Sequence, residues 1–429
     1  MDKIFVALVG EIIVLLDLGD EIVLNNLKMI SLFLIAVAVS TGKGGFLGIA
    51  AGLAVIVCCL DKNRFSNIKD CSFLLTVKVF LFFTGTLLVL SVFQDNPDGI
   101  KDVGRYFERT ASFFIIYIFL GKVRNFLPIT IIGLVIGFFA NDILVIESCR
   151  NYGTRAVGLF GSANKFGGSI AFVLPFFIYF TWLYRNRTKY FCILFASTAL
   201  LFGCLVVSGS RGAWIACVVE CLLLLSIFLH RSRNLRITKK RVAYLFVTIA
   251  VVIFLLVGIF SRSYDGERIL LWRAAWQMFL DHPIAGIGLL HFNEVYTAYY
   301  LSPLAKEPGL PHPHNLFLNF LSETGIIGLS AYLSMIFVQM KLCIEFNNRN
   351  KDINGQYITL PIVYLVAVVG MLAHGMVDVI SITRDYMLLS FFLWGIVCLH
   401  FNEYNTLGCQ GKKICKYNIF DGKQKEIRL

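Results

Sequence analysis

Long apolar runs recur along nearly the whole of this 429-residue chain, and they constrain its fold more than any motif does. Hydrophobic residues make up 57% of the sequence and charged residues 15%, whereas soluble domains carry about a quarter charged residues. A backbone in hydrocarbon must satisfy its own N–H and C=O groups, so only helices or closed barrels cross a bilayer. The runs show no alternation of period two, which disfavours a barrel. The expected fold is an all-α polytopic membrane protein of about twelve transmembrane helices, each near the ~20 residues that span the hydrocarbon.

One or two spans fall within Ile4–Ser40. The others are expected at Phe46–Leu60, Ser72–Phe93, Gly104–Leu120, Phe126–Ile146, Gly167–Tyr184, Lys189–Val207 and Gly212–Leu229, then at Val242–Phe260, Asn315–Cys343, Ile358–Ile380 and Tyr386–Phe401. The first residues lack a basic region, a short apolar core and a cleavage site in that order, so no removable signal peptide is expected.

Arg231, Arg233, Arg236, Lys239, Lys240 and Arg241 crowd one connection, which places it in the cytoplasm. Alternation puts the basic tail with Lys412, Lys413 and Lys416 on the same side. The opposite side receives Gln94–Val103, Glu147–Phe166, Ser208–Arg211, Ser261–Pro313 and Ser381–Asp385. One crossing in Ile4–Ser40 leaves both termini cytoplasmic, and two put the N-terminus outside. The chain divides into an N-terminal bundle at 1–260, one large extracytoplasmic loop at 261–313, C-terminal helices at 314–402 and a cytoplasmic tail at 403–429.

The net charge of +12 would suggest nucleic acid in a soluble protein. Here the excess lies mostly in short connections and the tail, so orientation explains it and no nucleic-acid partner is expected. None of the twelve cysteines lies in the 261–313 loop, and none has zinc-ligand spacing. No glycine-lysine phosphate cradle points to ATP, and no cofactor is expected.

Within the loop, Arg268-Ile-Leu-Leu-Trp272-Arg-Ala-Ala-Trp276-Gln-Met-Phe279 has helical apolar spacing. It reads as an amphipathic helix along the outer membrane face, with Trp272 and Trp276 as interfacial anchors. The loop ends in Pro311-His312-Pro313-His314-Asn315-Leu316, where prolines hold the approach extended and a helical pattern begins near Asn315. His314 thus stands at the mouth of a membrane helix. An imidazole there can act as a general base; a solvated loop histidine is the alternative reading.

Ser208-Gly209-Ser210-Arg211-Gly212 lies at a membrane boundary on the same side. A guanidinium is a fork of donors suited to phosphate oxygens, although an arginine there can also snorkel or pair with a carboxylate. Arg268 opens the loop helix, and Pro283, Gly286 and Gly288 follow it. Arg155 and Asn164 sit in a glycine-spaced run that either approaches a ligand or merely leads into the next span. His374 and Asp378, one turn apart in a span, read as a structural pair facing the bundle interior. His312 and His314 with Asp281, His282 or His291 match no defensible ligand set, so no metal is expected.

The ordered set of Arg211 in Ser-Arg-Gly, Arg268 four residues before Trp272, Pro283 with Gly286 and Gly288, and His314-Asn315 followed by Glu323 and Gly325 resembles the O-antigen ligase and O-antigen polymerase superfamily. Arg155…Asn164 and His374…Asp378 also look like family elements, so the resemblance runs roughly from Arg155 to Asp378. Size and the single dominant loop look most like the lipopolysaccharide O-antigen ligase. That resemblance implies a bacterial inner-membrane glycosyltransferase with its site facing the periplasm. It implies metal-independent, inverting transfer of polysaccharide from undecaprenyl diphosphate to a sugar hydroxyl of lipid A–core. His314 would be the general base, Arg211 and Arg268 would hold the diphosphate, and Arg155 and Asn164 would be substrate contacts. An O-antigen polymerase of the same superfamily, a protein O-oligosaccharide transferase and a lipid-linked-sugar transporter or flippase are the competing readings.

Overall fold

The computed structural model describes residues 21–42, 44–61, 71–120, 123–152, 155–232, 265–307, 309–354, 359–409, 416–417 and 424–425. The expected span Val242–Phe260 and the first part of Ile4–Ser40 lie outside the described residues, as does most of the tail. The helices are α1 (Glu21–Thr41), α2 (Gly44–Leu60), α3 (Cys71–Phe93), α4 (Gly99–Phe114), α5 (Phe126–Tyr152), α6 (Ala163–Leu183) and α7 (Thr188–Ser208). They continue with α8 (Arg211–Ser232), α9 (Asp265–Asp281), the short α10 (Phe292–Val295), α11 (Leu316–Asn354), α12 (Leu360–Gly375) and α13 (Arg384–Cys409).

Among the described residues, eight helices are long and apolar enough to cross a membrane: α1, α3, α5, α6, α7, α8, α11 and α13. Phe46–Leu60 and Leu360–Gly375 are shorter apolar helices. α6 and α13 form the centre, with 78% and 83% of their apolar windows buried, whereas α7 at 28% lies on the periphery. The span expected at Gly104–Leu120 differs. α4 begins earlier and carries Lys101, Asp102, Arg105, Glu108 and Arg109, so its first half is amphipathic. It becomes continuously apolar only in the π-helical turn Ile115–Leu120.

The loop helix α9 forms over the expected stretch. Leu271, Ala274, Ala275 and Met278 build a small core with Phe292 and Tyr296, which docks the loop beside α11. The two tryptophans are not equivalent anchors. Trp276 is half-exposed, while Trp272 points inward and buries its indole N–H.

The docking is tightest where α11 breaks at Gly325 (φ 63°, ψ −166°). In an unbroken helix Ile326 and Ile327 would donate to Ser322 and Glu323. Here Ile326 N donates to Pro283 O at 2.9 Å and Ile327 N to Ile284 O at 3.4 Å. The freed carbonyls of Ser322 and Glu323 accept from Ile287 N at 2.9 Å and Gly288 N at 3.0 Å. The loop after α9 thus replaces the helix's own hydrogen bonds, as buried backbone requires. Gln94, from the α3–α4 connection, donates its side-chain amide to Ala285, Gly286 and Glu323 carbonyls at this crossing. Gln94→Ala is expected to cost roughly 1–3 kcal/mol by stranding acceptors, read as a lower melting temperature of the solubilised protein.

Candidate active site

Five helix ends meet at one end of the bundle: the starts of α6, α8 and α11, and the ends of α7 and α12. Connections assigned to one side from their charge pattern do touch each other there. Arg155 reaches the Ser208–Gly209 corner and Gln94 reaches Gly286, while Arg109 of α4 donates to Ile382 O at 2.7 Å.

Asn315 starts α11. Its side-chain oxygen accepts from the N–H groups of Phe317 and Leu318, both at 3.0 Å, which is N-cap geometry. Its amide donates to Met376 O at 2.8 Å, tying the start of α11 to the end of α12. His314, one residue earlier, is held at φ 50°, a left-handed conformation uncommon outside Gly but one in which His, Asn and Asp are enriched. The cap and the two flanking residues leave the chain little choice there.

The turn after α12 carries the centre of the site. His374 and Asp378 are not a pair on one helix, as their spacing suggests, because α12 stops at Gly375. Asp378 Oδ1 instead accepts from His314 Nδ1 at 3.2 Å and from Val379 N–H at 2.8 Å. Its Oδ2 accepts from Asn164 Nδ2 at 2.6 Å. Burial pushes the Asp378 carboxyl up, but the hydrogen bond from His314 and the neighbouring imidazoles outweigh it and hold the group well below the usual carboxylate range. A carboxylate only accepts, so Nδ1 of His314 carries a proton, and in the neutral ring the lone pair is on Nε2. His314 keeps 19% of its side chain exposed, enough for a substrate group to reach it.

His374 has a different task. A Cβ on Gly168 of α6 would meet its Cε1 at 2.9 Å, and one on Gly212 of α8 its Cδ2 at 2.5 Å. The two glycines let the ring wedge between α6 and α8. That brings α8, with Arg211 at its start, against the end of α12.

The other expected residues divide clearly. Arg268 is half-buried and donates to Val377 O at 2.9 Å, beside Asp378. Arg155 donates Nε to Ser208 O at 2.9 Å, and Nη2 to Asn164 Oδ1 at 2.9 Å and Gly209 O at 3.2 Å. Arg211 begins α8 two residues after Gly209 and is half-buried. Asn164, Arg268 and His314 therefore converge on Val377–Asp378, Arg155 joins them through Asn164, and Arg211 starts the helix that follows the Ser208–Gly209 corner.

His312, His314 and Asp378 could each offer a ligand atom, all within 4.8 Å of one another. The partners drawn in the sequence reading (Asp281, His282 and His291) are not in this cluster. Three observations fit a hydrogen-bonded cluster better than a cation site. Asp378 spends both oxygens on donors. His312 Nδ1 accepts the His314 N–H at 3.4 Å. Arg268 lies close enough for its charge to act on His312. Burial, together with His314 and Arg268 alongside, pushes the His312 imidazole down to about 4, so it is neutral at neutral pH.

Sequence reading missed the partnership of Asp378 with His314. Gly375, a residue type enriched at helix ends, was the one available signal that the span stops before Asp378.

No curated protein matches the chain. Members of the O-antigen ligase family are membrane glycosyltransferase-like enzymes. Residues 196–333, the stretch that holds Arg211, Arg268 and His314, match the model of the O-antigen ligase family, and a chain with that domain is consistent with membership of the O-antigen ligase and polymerase superfamily.

Proposed function

We propose that the protein is a lipopolysaccharide O-antigen ligase. It transfers polysaccharide from undecaprenyl diphosphate to a sugar hydroxyl of lipid A–core on the periplasmic face of the inner membrane. The observation that carries this reading is the meeting of an Asp378-supported imidazole with Arg268 on a single turn, inside a bundle that matches the family over the arginine and histidine segments.

The acceptor hydroxyl gives its proton to His314 Nε2 as its oxygen attacks the anomeric carbon. The bond from that carbon to the diphosphate oxygen breaks, and the electron pair leaves with the diphosphate. A single displacement inverts the centre. Asp378 holds the ring and stabilises the imidazolium that forms, the role a carboxylate takes in nucleophile–histidine–carboxylate arrangements. Arg211 and Arg268 balance the charge that grows on the departing diphosphate. The leaving group is already activated, so the scheme calls on neither a metal nor a nucleotide.

Arg211→Ala and Arg268→Ala are each expected to lower transfer about 10²–10³-fold. Lysine at either position keeps the charge but loses the planar fork, and should restore only part of the rate. A deletion strain's lipopolysaccharide gel checks the reaction class. Bare core indicates a ligase, single-repeat lipopolysaccharide a polymerase, and transfer by purified protein without an ion gradient excludes a flippase.

A further inference from the structure

We infer that Arg155 and Asn164 are positioning residues that fix the His314–Asp378 pair relative to the start of α8, rather than residues that touch substrate. The inference rests on the transfer reaction proposed above and deepens it.

Both side chains hold partners within the protein. Asn164 faces two ways: its amide donates to Asp378 Oδ2 at 2.6 Å, and its carbonyl accepts from Arg155 Nη2 at 2.9 Å. Arg155 spends Nε and Nη2 on the carbonyls of Ser208 and Gly209. Those carbonyls belong to the corner that leads directly into Arg211, where Gly209 adopts φ 59° to make the turn. An unbroken path therefore runs from the α7–α8 corner through Arg155, Asn164 and Asp378 to His314. Its ends are the segment bearing a diphosphate-binding arginine and the group that takes the acceptor proton. Displacement requires nucleophile and leaving group to lie on opposite sides of one carbon, so the spacing between these two ends matters directly. The backbone adds a second strut, since Ala156 N donates to Val207 O at 3.2 Å.

The path also explains a choice of residue type. An aspartate at 164 would set a second carboxylate against Asp378, and a leucine would leave Oδ2 without a donor. The asparagine amide offers a donor to one neighbour and an acceptor to the other from two separate atoms.

Purified full-length protein in detergent or nanodiscs, with lipid-diphosphate-linked glycan as donor and lipid A–core as acceptor, provides the test. Asn164→Ala is expected to lower kcat about 10–100-fold, the usual cost of losing a partner that orients an active group. KM for both substrates should stay within about twofold, because no ground-state contact is lost. In an Asp378→Asn background the same substitution should cost less than about twofold, since it acts only through that carboxylate. A raised donor KM, or the full penalty persisting in the Asp378→Asn background, would instead make Asn164 a substrate contact and overturn the inference.

A second measurement does not depend on turnover. With ¹⁵N-histidine labelling, the downfield Nδ1–H resonance that His314→Ala removes should shift or broaden in Asn164→Ala and in Arg155→Ala. An unmoved resonance in both variants refutes the positioning role even if the protein proves to catalyse another reaction. If wild type transfers nothing but the resonance moves, the proposed activity fails and the positioning stands. Asn164→Ser, polar but too short to reach Asp378, serves in both measurements if the alanine variant does not fold.

Discussion

His314→Ala is expected to lower glycan transfer by about 10²–10⁴-fold, the typical worth of a positioned general base, with the protein still present in the membrane at wild-type abundance. The size follows from what surrounds the ring. Asp378 takes Nδ1–H at 3.2 Å, which leaves Nε2 as the ring nitrogen not engaged by that carboxylate, while Asn315 and Met376 anchor the backbone on either side of the gap. The neighbouring groups are otherwise occupied. Asp378 is held ionised with both oxygens engaged, and His312 is pushed down to about 4. The left-handed backbone at position 314 suits alanine less well than histidine, so His314→Asn, which tolerates that conformation, is the companion variant. Both should give bare core on a lipopolysaccharide gel while an immunoblot shows unchanged membrane levels. A normal ladder from either would strip His314 of its role.

Gly325→Ala is expected to be the most damaging small substitution for the fold, costing about 3 kcal/mol or more and preventing accumulation of the protein. Two costs add. The φ of 63° with ψ −166° is a region open essentially only to glycine, worth about 1–3 kcal/mol of strain for other residues. A Cβ would also land on the carbonyl of Ile284 and within 2.7 Å of Ala285 N. These neighbours are backbone, so no side chain can rotate away, and forced overpacking typically costs another 1–3 kcal/mol. Gly286 (φ 76°) meets the same limit from the other strand of the crossing, against the Glu323–Thr324 peptide. The loop could then no longer supply the hydrogen bonds that replace those of the broken helix. Gly203→Ala on α7, with nothing within 4 Å of the added carbon, is the control and should stay within about 1 kcal/mol of wild type. Membrane abundance and the melting temperature of solubilised protein measure both, and a Gly325→Ala protein that melts like wild type would disprove the close crossing.

The glycines at 286, 288 and 325 illustrate how a motif can be legible while its purpose is not. Their order pointed to the superfamily, and the structure shows that Gly286 and Gly325 permit two backbones to touch. Glu323 likewise belongs to the architecture: it is buried and accepts from Asn319 at 3.1 Å and from the backbone at Leu290 and Phe292. The charged turn of α4 shows the opposite failure. An apolar window starting at Gly104 hid an amphipathic helix that begins at Gly99.

By itself the sequence determined where the chain is apolar enough to cross a membrane and where its basic residues crowd the connections. Those properties are sums over neighbouring residues, and hydropathy and charge bias are local quantities. Tertiary structure alone decided the partners. His314 and Asp378 lie 64 residues apart, and Asn164 and Asp378 lie 214 apart. Which donor reaches which carboxylate oxygen depends on helix ends brought together by packing, and no periodicity in a single stretch of chain encodes that.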